Sequence, residues 1–155
     1  MQLMIMRHGE AEANFQNDAA RNLTTRGFIE TQKAGVWLRD TVEQIDMALV
    51  SPYTRAQQTF EMVSSVVDVT RSETNHQIVP SGTASAVHDY VDAVLEINSD
   101  VQSLLIVSHM PLVSYLLDNF CGHFESRLFA TSSIALLEYD KATHRGVIEN
   151  IFNPV

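Results

Sequence analysis

Leu104-Leu105-Ile106-Val107-Ser108-His109-Met110-Pro111-Leu112-Val113 is the stretch on which the fold turns. Four consecutive apolar residues without alternation describe a strand covered on both faces. Ser108 and His109 end the run, and Pro111 suits the first turn of a helix. In that helix Leu112, Val113, Leu116, Leu117 and Phe120 are the apolar positions, and Gly122 is placed to end it.

The same order of strand, polar junction and helix recurs on the N-terminal side. Leu3 to Met6 is a short apolar run that stops at Arg7-His8-Gly9. After a polar stretch to Asn22, Thr24 or Thr25 caps a helix with Thr31, Ala34, Trp37, Leu38 and Val42 on one face. Met47 to Val50 is a further run, and Ser51-Pro52 reads as helix cap and first turn, with Ala56, Phe60, Val63 and Val67 facing inward. His76 to Val79 reads as a weak third strand, followed by a helix with Val87, Tyr90, Val91, Val94 and Leu95 inward. Ile134–Tyr139 and Val147–Phe152 read as two closing strands, an antiparallel pair at the sheet edge. Strands alternating with helices predict an α/β three-layer sandwich, a mostly parallel central sheet with helices on both faces. No linker or repeat divides the chain, so one domain is expected over residues 1–155.

Hydrophobic residues make up 45% of the 155 and charged residues 19%, a globular composition. The single cysteine, Cys121, excludes an internal disulfide and reads as a buried structural thiol. Residues 1–8 lack a basic leader region, and no apolar run approaches the ~20 residues of a membrane span. A cytoplasmic protein is expected, with nothing demanding more than a monomer. The formal net charge of -9 argues against nucleic acid or an anionic membrane as partner.

An acidic chain that binds an anion must gather its few cations locally. Three junctions do so: Arg7-His8-Gly9, Ser51-Pro52-Tyr53-Thr54-Arg55 and Ser108-His109. All follow strands, and in open α/β sheets ligands bind beyond the carboxyl ends of strands. Two arginines, two histidines and the helix N-termini beside them make an anion site suited to a phosphoryl group. A neutral imidazole can attack phosphorus, nearby arginines help keep it neutral, and a second, protonated imidazole can offset charge on the phosphoryl oxygens. Gly9 is expected to let the backbone approach the phosphate, and Ser108 to cap a helix or bond within the pocket.

Arg7-His8-Gly9-Glu10 after the first strand, Leu23-Thr24-Thr25-Arg26-Gly27, Ser51-Pro52 with Arg55-Ala56-Gln57-Gln58-Thr59, and Ser108-His109 resemble, in order, the motif blocks of the histidine phosphatase superfamily, whose fold is phosphoglycerate-mutase-like. The resemblance spans residues 3 to about 120. The small size and the opening Met-Arg-His-Gly are most similar to the bacterial SixA-type phosphohistidine phosphatases. It implies that His8 is the phosphorylated nucleophile, that Arg7 and Arg55 clamp the phosphoryl oxygens, and that His109 completes the pocket. Arg21 would be a further phosphate or substrate contact.

One feature of the family is missing. Most members carry a carboxylate general acid after the third strand, where this chain reads His76-Gln77-Ile78-Val79-Pro80-Ser81-Gly82. Glu73, the nearest carboxylate, falls before the expected strand. An alkoxide leaving group needs such an acid, whereas the imidazole of a phosphohistidine is readily protonated by solvent. The expected substrate is therefore a histidine-phosphorylated protein, either a phosphotransfer domain or a phosphotransferase carrier. The alternatives are a small-molecule phosphomonoesterase of the same superfamily and a non-catalytic module that docks a phosphorelay protein. No cofactor is expected, and no metal, because His8 and His109 have no third ligand at suitable spacing. Glu10 and Glu12 read as surface charges, and His76, His88, His123 and His144 as surface or structural.

Overall fold

The computed structural model describes residues 1–154. Six strands form one sheet: β1 (Gln2–Arg7), β2 (Gln44–Val50), β3 (Asp68–Thr74), β4 (Ser103–Ser108), β5 (Ile134–Asp140) and β6 (Arg145–Phe152). Their spatial order is β3-β2-β4-β1-β5-β6. The first four of these are parallel to one another, β5 pairs antiparallel with β1, and β6 antiparallel with β5. Four helices, α1 (Thr25–Val42), α2 (Thr54–Ser64), α3 (Ala84–Ile97) and α4 (Leu112–Cys121), cover the sheet.

The continuous apolar runs are explained by burial on both faces. Alternate side chains of one strand enter different cores: Leu3 and Ile5 pack with α3 and α4, Met4 and Met6 with α1 and α2. β4 divides likewise, Leu104 and Ile106 on one side and Leu105 and Val107 on the other. The expected sandwich of a mostly parallel sheet with helices on both faces is the architecture present.

Local expectations fared unevenly. Thr24 is the cap of α1, its side chain accepting from Gly27 N, and Gly122 ends α4 in a left-handed conformation at φ 79°. Ser51 is not the cap of α2, which begins at Thr54 after Tyr53. The helix beyond β4 begins only at Leu112. The third strand lies at Asp68–Thr74 and not at His76–Val79. It is an edge strand, bonded through its backbone to β2 and open on its other side, so it carries little apolar signal. His76 to Val79 forms a turn in which Asn75 Oδ1 accepts from Gln77 N, and Ile78 is buried against the α3 and α4 core. Glu73 therefore lies inside β3 and accepts from Tyr90 Oη.

Candidate active site

Strand register gathers the chemistry. Arg7 is paired with Ser108 across β1 and β4, and Val50 with Val107 across β2 and β4. The next residue of each strand, His8, Ser51 and His109, therefore emerges at one edge. Ladder hydrogen bonds continue there, from His8 N to Ser108 O at 3.0 Å and from Ser51 N to Val107 O at 3.1 Å. The His8 and His109 rings lie 5.0 Å apart, centroid to centroid. Arg7, His8, Glu10, Ala11, Arg21, Arg55, His109, Met110 and Thr131 line a cleft of about 340 Å³. A larger groove of about 460 Å³, bordered by Tyr115, Asp118, His123 and Phe124, has no comparable set of cations.

His8 is buried, and its Nδ1 sits 2.7 Å from Gly9 O. A carbonyl only accepts, so Nδ1 carries the proton and Nε2 holds a free lone pair. Arg55 Nε donates to that nitrogen at 3.2 Å. Burial first, then Arg55, Arg7 and Arg21, push the His8 pKa down to about 3, against the opposing bond to Gly9. The free ring is therefore neutral across the physiological range.

His109 is buried too, with Nε2 2.7 Å from Ser51 Oγ. Ser51 Oγ already accepts from Tyr53 N at 3.2 Å, and its own proton has His109 Nε2 as acceptor. Assigning the Ser51 hydroxyl proton to His109 Nε2 places the ring proton of His109 on Nδ1. That atom and Arg7 Nε are buried with no hydrogen-bond partner among the described residues. Two orphaned N–H groups in one cleft are costly unless an acceptor enters it. Burial, His8, Arg55 and Arg7 lower the His109 pKa to about 2, so the expected protonated second histidine is a neutral donor in the free protein. An entering phosphoryl dianion would raise that pKa by charge attraction.

The arginines are held in place. Arg7 Nη1 donates to Phe129 O at 2.8 Å. Burial and the neighbouring Arg55 hold the Arg7 pKa below its ordinary value. Arg55 is only 4% exposed despite its charge. Arg21 also reaches the cleft, with Nε donating to Glu12 O at 2.7 Å.

Two expected substrate contacts are engaged elsewhere. Gly9 N donates to Thr59 Oγ1 at 2.9 Å, and a Cβ on Gly9 would meet Thr31 Oγ1 at 2.6 Å and Gly27 O at 3.0 Å. The close approach seen here that requires glycine is to α1. Ser108 is fully buried and its hydroxyl donates to Ile78 O at 2.8 Å, pinning the turn after β3. Thr59, quoted above within a motif block but given no role, holds the backbone beside His8. From sequence alone Glu10 reads as a surface charge. Glu10 lines the cleft, with Oε1 accepting from Thr24 Oγ1 at 2.9 Å and Oε2 3.9 Å from Arg26. No spacing rule flags either contact, because both cross between distant segments.

Residues 3–78 match the model of the histidine phosphatase superfamily (branch 1). The chain is 37% identical over 143 residues to the phosphohistidine phosphatase SixA of Escherichia coli (strain K12), covering 92% of this chain and 88% of that protein. This chain belongs to the histidine phosphatase superfamily. A second superfamily relative, the phosphohistidine phosphatase SixA homolog of Haemophilus influenzae, is 37% identical over 148 residues, 90% of this chain and 89% of that one. The superfamily fold is matched closely by the structure of the protein histidine phosphatase SixA complexed with tungstate. The TM-score is 0.92 at 35% identity, covering 99% of this chain and 97% of that chain.

Proposed function

We propose that this chain is a protein phosphohistidine phosphatase that works through a phosphorylated His8. The observation that carries the reading is the unprotonated Nε2 of His8 in a buried, arginine-lined cleft where Arg7 Nε and His109 Nδ1 await an acceptor. The His8 Nε2 lone pair forms a bond to phosphorus as the substrate's N–P bond breaks. The electron pair of that bond returns to the substrate imidazole, which takes a proton from water. Arg7, Arg55 and the His109 N–H bear the charge on the phosphoryl oxygens. Water then attacks phosphorus, releasing inorganic phosphate and restoring His8. Arg21, at the rim of the cleft, contacts the phosphoryl group or the protein that carries it.

The substrate class rests on three supports. No carboxylate occurs between Asn75 and His88, the segment that follows β3. The two relatives at 37% identity are named phosphohistidine phosphatase SixA and its homolog, and the SixA structure holds tungstate, a tetrahedral oxyanion like phosphate. The partner is a histidine-phosphorylated protein, a phosphotransfer domain or a phosphotransferase carrier, met by a monomer in the cytoplasm.

A second reading, a small-molecule phosphomonoesterase, draws on Glu10, a carboxylate in the cleft that could protonate an alkoxide. One experiment separates the two. Relative kcat/KM is measured for a phosphohistidine protein, aryl phosphates of graded leaving-group pKa and a sugar phosphate, with rapid-quench trapping of the phosphoenzyme. The proposal expects a base-stable, acid-labile phosphoenzyme and rates that fall steeply as the ester leaving group becomes more basic. Alkyl phosphates cleaved as fast as phosphohistidine would transfer the assignment to the monoesterase.

A further inference from the structure

Arg55 is oriented by a residue that no motif block contains. Asp18 opens a 3-10 turn, Asp18–Ala20, in the polar stretch between β1 and α1. Its carbonyl accepts from Arg55 Nη1 at 2.7 Å, and its Oδ2 lies 3.3 Å from Arg55 Nη2. The third guanidinium nitrogen, Nε, faces His8 Nε2 at 3.2 Å. Every nitrogen of Arg55 is thus assigned, two to Asp18 and one to the nucleophile. The other carboxylate oxygen, Oδ1, accepts from Arg21 Nη1 at 3.2 Å, so a single carboxylate bridges both arginines.

Exposure separates the partners. The Asp18 side chain is 46% exposed and that of Arg55 5%. With its carboxylate half open to solvent, the pair contributes little stability, because water screens the carboxylate and side-chain entropy opposes the contact. Its effect on geometry is different. Arg55 reaches the cleft from the first turn of α2, and rotation about its side-chain bonds would carry Nε away from His8. Two contacts on the distal nitrogens remove that freedom, and a planar guanidinium held at one end is aimed at the other.

We propose that Asp18 is a positioning residue that acts through Arg55, and through Arg21 beside it, to hold the phosphoryl clamp in line with His8 Nε2. The inference rests on the phosphatase reading, and its test separates the two. It is a double-mutant cycle of Asp18→Ala and Arg55→Ala, run on an activated aryl phosphate with the melting temperature of each variant recorded. Asp18→Ala keeps the backbone carbonyl and loses the carboxylate. It is expected to lower kcat on the order of 10-fold with KM and melting temperature little changed, since misaimed groups cost rate more than stability. Asp18→Asn, which retains an acceptor oxygen, should recover part of that loss. In the Arg55→Ala background, Asp18→Ala should have a much smaller effect, the part carried by its contact with Arg21. A readout without substrate is the ¹⁵N resonance of His8 Nε2, which should move toward that of an unbonded imidazole nitrogen in Asp18→Ala. Additive losses in the cycle, or an unmoved His8 resonance, would overturn the role of Asp18. If Arg55→Ala alone left kcat/KM unchanged, the clamp itself, and with it the phosphatase mechanism, would be wrong.

Discussion

The protein buries histidine in two places, at opposite ends of the sheet, and they are built on opposite principles. His8 and His109 lie beyond the carboxyl ends of β1 and β4, among Arg7, Arg21 and Arg55. His88, on α3, lies near the other end, where Gln2 of β1 is paired with Glu138 of β5, next to Tyr139. Its Nδ1 is 2.7 Å from Asn119 Oδ1 and its Nε2 2.8 Å from Tyr139 Oη. The single Tyr139 hydroxyl proton goes to Asp92 Oδ1 at 2.5 Å, so His88 Nε2 must be the donor to Tyr139. Asp92 Oδ2 meets His144 Nδ1 at 3.1 Å. Both nitrogens of His88 lie within hydrogen-bond distance of a side-chain oxygen, and the charge in contact is a carboxylate. At the other end Arg7 Nε and His109 Nδ1 lack partners and the charge in contact with His8 is the Arg55 guanidinium. A satisfied network fastens α3, α4 and β5 together. An unsatisfied cationic one is stable enough to persist and still poised to take an anion. Burial alone does not mark a functional histidine; the balance of unmet donors does.

Mutation should divide the two clusters. The largest effect belongs to His8→Ala, which should abolish both the trapped phosphoenzyme and turnover while the protein still folds. Near-native turnover by this variant would remove the distinction altogether. Arg7→Ala and Arg55→Ala come next, with kcat/KM reduced on the order of 10²-fold or more. Lys at either position should restore only part, because it cannot bond bidentately. An Arg55→Lys enzyme as fast as the parent would show that charge alone suffices.

In the other cluster the signs exchange. Asp92→Ala leaves the Tyr139 hydroxyl without its acceptor and should cost about 2 kcal/mol in stability by urea unfolding, with kcat/KM near that of the parent. A large loss of activity at unchanged stability would make the His88 network part of the catalytic apparatus.

The pH response sharpens the contrast. His8 and His109 hold pKa values of about 3 and about 2, against 6.5 for an ordinary histidine. Between those values the unfolded chain binds more protons than the folded one. Their contribution to stability is therefore present in full above pH 6.5 and is lost as the pH falls toward 3. Ring resonances of His8 and His109 should stay fixed between pH 8 and 5 in the free protein, and should move when phosphate is added. A midpoint near 6.5 for His8 would mean that its ring is solvated. The smallest effect is Glu73→Gln. Glu73 is held by Tyr90 at the sheet edge and is absent from the cleft lining, so phosphohistidine turnover should be unchanged. Glu10→Gln is the companion, since a drop confined to alkyl esters would identify Glu10 as an acid.

Much of this was legible in the chain. Apolar runs at Leu3, Met47 and Leu104 identify strands because burial on both faces leaves no room for polar alternation. β3 was not legible, because an edge strand held by backbone bonds needs little hydrophobic content, and its expected place, His76 to Val79, is a turn. The Arg-His and Ser-His junctions read as an anion site because the cations are few and follow strands. The occupations of Gly9 and Ser108 could not be read. Thr59 and Ile78, their partners, are 50 and 30 residues away, and only packing decides which donor meets which acceptor.

The sequence by itself determined the strand-helix alternation, the local excess of cations and the identity of the nucleophile candidate, because periodicity and charge are local properties of a chain. The tertiary structure decided which ring nitrogen of His8 is free, which buried N–H groups lack a partner, and that Asp18 reaches Arg55. The His8 tautomer is set by the neighbouring Gly9 carbonyl, while the other two depend on strand register and on contacts across 37 residues or more, where the free energy of a hydrogen bond is set by what else is within reach.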